Sequence, residues 1–150
     1  MYWINPQATD IQQALQAWDW LDLDGYTPLA VTAFADVFFE GHGHVVFLDR
    51  VGGELHPVCA NQQELKLVLE SEEGQDHYLM PSLVEQAQER GMQLNPGFCY
   101  DFLTSPRLNG PVTIENLCIR GFVESLQQTG ELLAQLRRQP LSSLLSMLES

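Results

Sequence analysis

Basic residues are scarce in this sequence, which has seven Lys and Arg against 20 Asp and Glu and a formal net charge of −13. The first 49 residues contain no Lys or Arg, and residues 1–96 carry 15 acids but only three bases. Proteins bind nucleic acids and anionic membranes through Lys and Arg. The composition therefore argues against both kinds of partner. The acidity serves either solubility or the attraction of a basic partner.

Cysteine is also sparse. The three residues Cys59, Cys99 and Cys118 are widely spaced and form no C-x-x-C pair, so neither a disulfide framework nor a zinc knuckle is indicated. We expect buried structural thiols in a protein of the reducing cytoplasm. No apolar run is long enough to span a bilayer, and the first ten residues lack the basic and apolar regions of a signal peptide. We therefore expect a cytoplasmic protein without a membrane segment.

The sequence contains no motif of a known catalytic nucleophile. There is no G-x-S-x-G, and no glycine-rich loop leads into a predicted helix. Neighbouring acids such as Glu72 and Glu73 lie in polar stretches, where a solvated cluster is a simpler interpretation than a raised catalytic pKa. A Cys–His pair would need only proximity in space, so it stays open at this point. We predict a protein that is not an enzyme and that holds no cofactor.

Two histidines lie close together in the stretch "FFEGHGHVVFLD", residues 38–49. On a strand, His42 and His44 would share one face and could both contact a metal ion. Zinc needs at least a third ligand, and His56 and His77 do not complete any known metal spacing. Glycines on both sides of His42 are typical of a turn between two strands. We therefore predict the tip of a β-hairpin with exposed histidines and no metal.

Residues rich in β-branched and aromatic side chains predict strands in the first half of the chain. They lie at 29–40, as one strand or two short ones, at 44–49 and at 55–60, which together make an antiparallel meander. Pro57 cannot donate a backbone hydrogen bond, so we expect the last strand at a sheet edge. A short aromatic strand is predicted later, at residues 99–102.

Helical spacing of apolar residues and N-cap signals predict helices around and after these strands. Thr9 with Gln12, and Asn61 with Glu64, resemble capping boxes. The helices are predicted at residues 9–21, 61–70, 77–90, from about 113 onward, and 141–150. The order of elements indicates an α+β fold, a small antiparallel meander packed against several helices in a single domain over residues 1–150.

The last predicted helix, residues 141–150, is short and amphipathic. Four leucines lie on its apolar face: Leu141, Leu144, Leu145 and Leu148. An apolar face at a chain end either docks on the body of the protein or pairs with a second copy. A homodimer through these leucines is therefore possible.

Seven stretches, in their order along the chain, resemble one protein family. They are "WDWL" (18–21), "FADVFF" (34–39), "GHVVFLD" (43–49), "GELHPV" (53–58), "LVEQAQERGMQLNPGFCYDF" (83–102), "PRLNGPVTIENL" (106–117) and "TGELLAQLRRQP" (129–140). The most specific part comprises Pro96, Gly97, Cys99, Tyr100, Phe102, Pro106, Leu108, Gly110, Glu115 and Asn116. The pattern resembles the immunity-protein domain that protects bacteria from type VI secretion DNase effectors.

The resemblance implies a cytoplasmic inhibitor that binds a toxin and has no catalytic residues. A nuclease toxin must present a cationic groove to phosphates. An acidic surface would attract that groove and place carboxylates where phosphates bind. The candidate partner-binding residues are the loop acids Asp19, Asp22, Asp24, Glu70, Glu72, Glu73 and Asp76.

The chain differs from the family pattern at two places. It has Phe34-Ala35-Asp36 where the family usually has Phe-Gly-Asp, and Arg138-Gln139-Pro140 where an acidic turn is common. Two alternative functions remain beside immunity. One is an orphan adaptor or regulator on the same scaffold, and the other is a metal-dependent enzyme that uses His42 and His44.

Overall fold

Five antiparallel strands, hydrogen-bonded in their sequence order, form the main sheet of the protein. The computed structural model describes residues 2–138. The strands of the main sheet are β1 (Trp3–Ile4), β2 (Thr27–Thr32), β3 (Val37–Gly41), β4 (His44–Asp49) and β5 (Glu54–Cys59). A separate antiparallel pair consists of β6 (Phe98–Phe102) and β7 (Leu117–Gly121). The helices are α1 (Ala8–Leu15), α2 (Gln62–Glu70), α3 (Glu72–Tyr78), α4 (Pro81–Glu89) and α5 (Phe122–Arg138).

Both faces of the main sheet are covered, because side chains alternate between the two faces along each strand. The face that packs against α1 and α5 presents Val31, Val37, Phe39, Val46 and Leu48. The opposite face packs against α2 and α3, and its cluster contains Phe38, Val45, Phe47, Leu65 and Tyr78. The main sheet is therefore the middle one of three layers.

The β6–β7 pair attaches to the turn between β2 and β3. The backbone N–H of Tyr100 donates to the carbonyl of Ala33 over 2.8 Å. The aromatic side chains of β6 pack with that turn and with α4. They belong to a second cluster that contains Phe34, Leu83, Val84, Ala87, Tyr100, Phe102 and Leu117.

Two tryptophans hold the 3₁₀ helix Gln16–Trp18 and the residues after it against α5. Trp18 Nε1 donates to the carbonyl of Leu126 over 2.9 Å, and Trp20 Nε1 lies 3.1 Å from the carbonyl oxygen of Gly130. The two rings stack with centroids 5.3 Å apart. A Cβ atom on Gly130 would lie 2.7 Å from the carbonyl oxygen of Ala17. This contact therefore requires glycine.

The predicted α+β class is confirmed. The meander is confirmed, with residues 29–40 divided between β2 and β3, and β5 lies at an edge, as Pro57 indicated. The two-residue strand β1 was not predicted. The N-cap at Asn61 is confirmed, since its side chain accepts a hydrogen bond from the backbone of Glu64.

Five secondary-structure predictions are wrong. The helix expected over residues 9–21 ends at Leu15 and continues only as a 3₁₀ turn to Trp18. The helix expected over 77–90 is divided, because residues 77 and 78 belong to α3 and α4 begins at Pro81. The helix expected from about residue 113 begins only at Phe122, because residues 117–121 pair with β6 as a strand. The capping box at Thr9 does not form, since α1 begins at Ala8 with no side-chain cap. The acidic stretch after α2, expected as a loop, forms α3 with Ser71 as its N-cap. The predicted helix over 141–150 and its possible dimer contact lie outside the described residues.

The tight turn between β2 and β3 contains a residue with an unfavourable backbone conformation. Thr32 and Asp36 close the turn through a 2.9 Å hydrogen bond from the N–H of Thr32 to the carbonyl of Asp36. Ala35 has a φ of 67°, in the left-handed region. Residues with a Cβ atom are disfavoured there by about 1–2 kcal/mol, which glycine avoids. This is the position at which the chain differs from the Phe-Gly-Asp pattern.

We expect Ala35→Gly to leave the protein more stable than Ala33→Gly by about 1–2 kcal/mol, the cost of the left-handed conformation. The control is well matched, because both alanines are fully buried and Ala33 has no positive φ. Both changes remove the same methyl group. Urea unfolding of the two variants measures the difference in the free energy of unfolding. Equal destabilisation by both changes would show that Ala35 is not strained.

The carboxyl group of Asp36 is buried in the same turn. It accepts hydrogen bonds from the backbone N–H of Arg50 over 3.0 Å and from the Thr32 hydroxyl over 3.3 Å. Burial raises its pKa from 3.8 to about 7, because a poorly solvated site disfavours the charged form. The hydrogen bond and the positive charge of Arg50 act against this shift. Protonation of Asp36 is therefore coupled to folding.

Stability should fall as pH rises from about 4 to 7, because over this range folded Asp36 keeps a proton that the unfolded chain has lost. Above pH 7 the contribution of Asp36 is constant. We expect Asp36→Asn, which keeps an acceptor for Arg50, to lose this part of the pH dependence. The difference in unfolding free energy between wild type and variant should therefore shift in favour of the variant from pH 4 to 7. A difference that is independent of pH would refute the raised pKa.

Candidate functional site

The predicted acidic residues near the N-terminus form one group, Asp19, Asp22 and Asp24, called here the N-terminal acidic group. All three are exposed and lie between the 3₁₀ helix and β2. Asp22 Oδ1 accepts a hydrogen bond from the backbone N–H of Asp24 over 3.1 Å, which fixes the local chain. The group lines a groove of about 1090 Å³ together with the apolar side chains of Trp20, Leu21, Leu23, Tyr26 and Phe39. Acidic and apolar surfaces therefore meet at this groove.

The other predicted acids lie on helices instead of on a loop. Glu70 ends α2, and the remaining three, Glu72, Glu73 and Asp76, belong to α3. All four are exposed, and we call them the α3 acidic group. Glu70 lies 4.0 Å from Lys66 in an exposed ion pair. Acids in the first turn of α3 stabilise that end of the helix.

The structure does not bring the two acidic groups together. The N-terminal acidic group follows the helical segment that packs on the α1–α5 side of the main sheet. The α3 acidic group lies on helices that cover the opposite side. A single groove on a partner protein would therefore contact one group and leave the other facing away.

The two histidines lie at a hairpin tip, as predicted. His42 and Gly43 connect β3 to β4, and both have positive φ, 53° and 81°, which matches the type I′ turns of two-residue hairpins. His42 is exposed, with Nε2 2.8 Å from the carbonyl oxygen of Asp24, whereas His44 is half-buried and 3.4 Å from the Tyr26 hydroxyl. Both rings thus pack against the residues that precede β2. Among residues 2–138, no three His, Cys, Asp or Glu residues are placed to hold a metal ion.

The cysteines are in environments that disfavour the reactive thiolate. Cys99 is buried, and burial raises its pKa to about 11. Cys59 and Cys118 are half-buried instead of buried as expected, and desolvation is the main cause of the raised pKa of each. Since the thiolate is the nucleophilic form, these sites fit a structural role.

A cleft of about 740 Å³, which the sequence did not predict, opens between the end of β4, the α3–α4 junction, the loop after β6, and α5. Buried polar side chains line its floor, and its wall combines apolar side chains with the polar side chains of Asp49, His56 and His77. The apolar part of the wall includes Val51, Tyr78, Met80, Leu103, Leu108 and Leu132.

The polar floor of the cleft is organised around Arg50, which is only 4% exposed. Its Nη1 donates to the carbonyl of Phe34 over 3.2 Å, and its Nη2 lies 2.8 Å from Ser125 Oγ. Nη2 also contacts Thr129 Oγ1 and lies 3.4 Å from Asp101 Oδ2. One guanidinium group thus connects the main sheet, β6 and α5.

Asp101 is shared by several donors. Its Oδ2 lies 3.2 Å from Arg120 Nη1 and accepts a 2.6 Å hydrogen bond from Ser125 Oγ, in addition to the contact with Arg50. Within residues 2–138, every buried side-chain nitrogen and oxygen atom has a hydrogen-bond partner. The floor therefore presents no unsatisfied buried group to a ligand, and the apolar wall is the part suited to binding.

The loop from Leu103 to Val112, between β6 and β7, also borders this cleft and is called here the β6–β7 loop. Three of its large apolar side chains, Leu103, Leu108 and Val112, are more than half exposed. The sequence predicted a loop here without a binding role, because leucines in a proline- and glycine-rich segment have no period that reports exposure. One feature of the sequence could have indicated exposure. Large apolar side chains occur here in a loop segment, where no regular face packs them into a core.

Within residues 2–138, no helix combines the length and the apolar character that crossing a membrane requires.

Comparison with solved structures gives a similar fold in the crystal structure of Atu4351 from Agrobacterium tumefaciens. The TM-score is 0.54 at 15% sequence identity. The match covers 86% of this chain but 65% of that chain, so this protein spans slightly less than two thirds of the matched structure. At this identity the likeness shows the fold alone. No curated protein matches the sequence.

The family comparison is more specific. The family described as the type VI secretion system (T6SS) immunity protein Tdi1, C-terminal, matches residues 60–136. This range contains α2 to β7 and nearly all of α5, and therefore includes the β6–β7 loop and much of the cleft. It also agrees with the resemblance expected from the sequence stretches between residues 83 and 140. The chain belongs to the family of T6SS immunity proteins defined by the C-terminal domain of Tdi1.

Proposed function

We propose that this protein neutralises a cognate secreted toxin by stoichiometric binding, and that it acts in the cytoplasm without chemistry of its own. The family match over residues 60–136 carries the proposal, because that family consists of T6SS immunity proteins. The internally paired floor of the cleft supports a binding role. Catalytic acids and bases need polar atoms that are free to reach a substrate, and the buried polar atoms of this floor are bound to one another.

We further propose that the toxin is a nuclease. A nuclease needs a cationic groove for its phosphates, and this chain has a net charge of −13. Opposite charges accelerate the encounter of two proteins, up to about 10⁸–10⁹ M⁻¹s⁻¹ at low salt. Rapid capture favours an inhibitor whose target can damage the genome before it is bound.

The N-terminal acidic group is the better candidate for direct contact with that groove. Asp19, Asp22 and Asp24 lie beside Trp20 and Tyr26, so charged and aromatic surfaces adjoin, as they do in many protein interfaces. In the α3 acidic group, Glu72 and Glu73 have a structural explanation, because they lie in the first turn of that helix. We assign the group to long-range attraction.

Co-expression with the protein encoded beside this gene tests the function itself, since immunity proteins are commonly encoded next to their toxins. We expect the neighbour alone to kill the host cells, and this protein to restore growth and to co-purify with it at a fixed ratio. A neighbour that is harmless, or toxic but neither bound nor neutralised, would refute the proposal for this pair and favour the adaptor function.

Two charge-reversal triples separate the acidic groups. Asp19→Lys/Asp22→Lys/Asp24→Lys and Glu72→Lys/Glu73→Lys/Asp76→Lys change the net charge equally, on opposite sides of the sheet. We expect both to slow association at low salt, and only the N-terminal triple to lower the affinity roughly tenfold or more at higher salt, where long-range attraction is screened. Circular dichroism confirms that α3 survives its reversal. If neither triple alters the association rate or its salt dependence, the acidic surface is not the binding determinant.

A further inference from the structure

Large apolar side chains are concentrated on the β6–β7 loop. In the described part of the chain, six such residues are exposed, and half of them lie on these ten residues. Leu103 is 62% exposed, Leu108 51% and Val112 55%. A scattered exposed leucine needs no explanation, but a local cluster commonly marks an interaction surface.

The loop backbone is fixed from beneath by Asn116, whose side chain is buried. Its Oδ1 accepts from the N–H of Thr104 over 3.0 Å, and its Nδ2 donates to the carbonyls of Thr104 and Pro111, each over 2.8 Å. Gly110 donates to the carbonyl of Ser105 over 2.9 Å. A Cβ atom on Gly110 would lie 1.8 Å from the Thr104 carbonyl oxygen, so the chain segments touch. The apolar side chains are thus presented by an ordered backbone, which reduces the entropy lost on binding.

The charge of this loop differs from that of the rest of the protein. Residues 102–114 contain no acid, and their one charged residue is Arg107, which is exposed. The flanking acids are engaged, since Asp101 is paired with Arg50 and Arg120, and Glu115 lies 3.8 Å from Arg90. The loop itself therefore offers no carboxylate to a cationic groove. The loop is complementary to an apolar surface that carries a carboxylate near its edge.

The adjoining cleft adds depth to this surface. Leu103 and Leu108 lie on the wall of the 740 Å³ cleft, which is also lined by Tyr78, Met80 and Leu132. An apolar part of a pocket wall beside a rigid apolar loop is an arrangement in which interface hot spots form. The cleft can therefore receive an apolar side chain of a partner whose surface rests on the loop.

We propose that the β6–β7 loop and the apolar wall of the cleft anchor the toxin, through an apolar patch of the toxin that bears a carboxylate facing Arg107. The proposal rests on the immunity function and adds a second contact, distinct from the acidic surface. The acidic residues accelerate the encounter, and the loop slows dissociation. The toxin is then bound at two places, at its cationic groove by the acidic surface and at a neighbouring apolar patch by the loop.

Three single substitutions of exposed leucines test the anchor: Leu103→Ser, Leu108→Ser and, as the control, Leu67→Ser. The control residue lies on α2 and is 67% exposed, close to the 62% of Leu103. The probe is the neighbour-encoded protein, made in a cell-free system and immobilised on a biosensor. We expect the loop variants to dissociate roughly tenfold faster or more with little change in association rate, as for truncated hot spots. The Leu67 variant should remain within about twofold of wild type.

Arg107→Glu tests the predicted carboxylate. It should also speed dissociation, whereas Arg107→Lys should retain most of the affinity. Thermal melts of all variants identify any loss of folding, and this loss is not expected for exposed side chains. If wild type binds and the loop variants dissociate no faster than the Leu67 control, the anchor is wrong while the immunity function stands. If wild type itself does not bind the probe, the proposed function and the anchor both fail.

Discussion

The rest of the structure depends on one buried cation, Arg50. Its guanidinium group binds the carbonyl of Phe34 in the β2–β3 turn, Asp101 on β6 and the side chains of Ser125 and Thr129 on α5. These three parts belong to different regions of the chain. Among the described residues, no other side chain forms hydrogen bonds to all three. Arg50 therefore acts together with the Tyr100–Ala33 backbone hydrogen bond to fix the small β6–β7 sheet relative to the main sheet.

Burying a charge costs several kcal/mol unless every polar atom is paired. Here Asp101 neutralises Arg50, Ser125 bridges the two, and the backbone carbonyl of Phe34 accepts a further bond. An apolar residue at this position would avoid the desolvation cost, but it would tolerate several arrangements of α5 on the sheet. A planar donor group with fixed acceptors tolerates few. The network thus favours one arrangement of α5 on the sheet, and this arrangement forms the floor of the cleft.

Short sequence motifs correctly predicted the features that depend on interactions between residues close in the chain, such as helix starts and tight turns. Asn61 with Glu64 predicted the start of α2, and the glycines around His42 predicted the hairpin tip. The strand β7 was missed because residues 117–121 are short, include Arg120 and Gly121, and show no clear period, so that only pairing with β6 makes them a strand. The separation of the acidic groups was equally invisible, since it depends on which face of the sheet each helix covers. Arg50 did leave a signal, because it is the only Lys or Arg in the first 65 residues.

The separation of the acids bears on how a partner would be oriented. Carboxylates on both sides of the main sheet attract a cationic protein from either side, so long-range attraction alone selects no docking pose. Orientation must come from a short-range feature that exists on one side only. The β6–β7 loop meets this condition, because it combines exposed leucines, a positive charge and a backbone fixed by Asn116. In the proposed complex, the α3 acidic group attracts the partner without selecting a pose, and the β6–β7 loop and the N-terminal acidic group make the contacts that orient it.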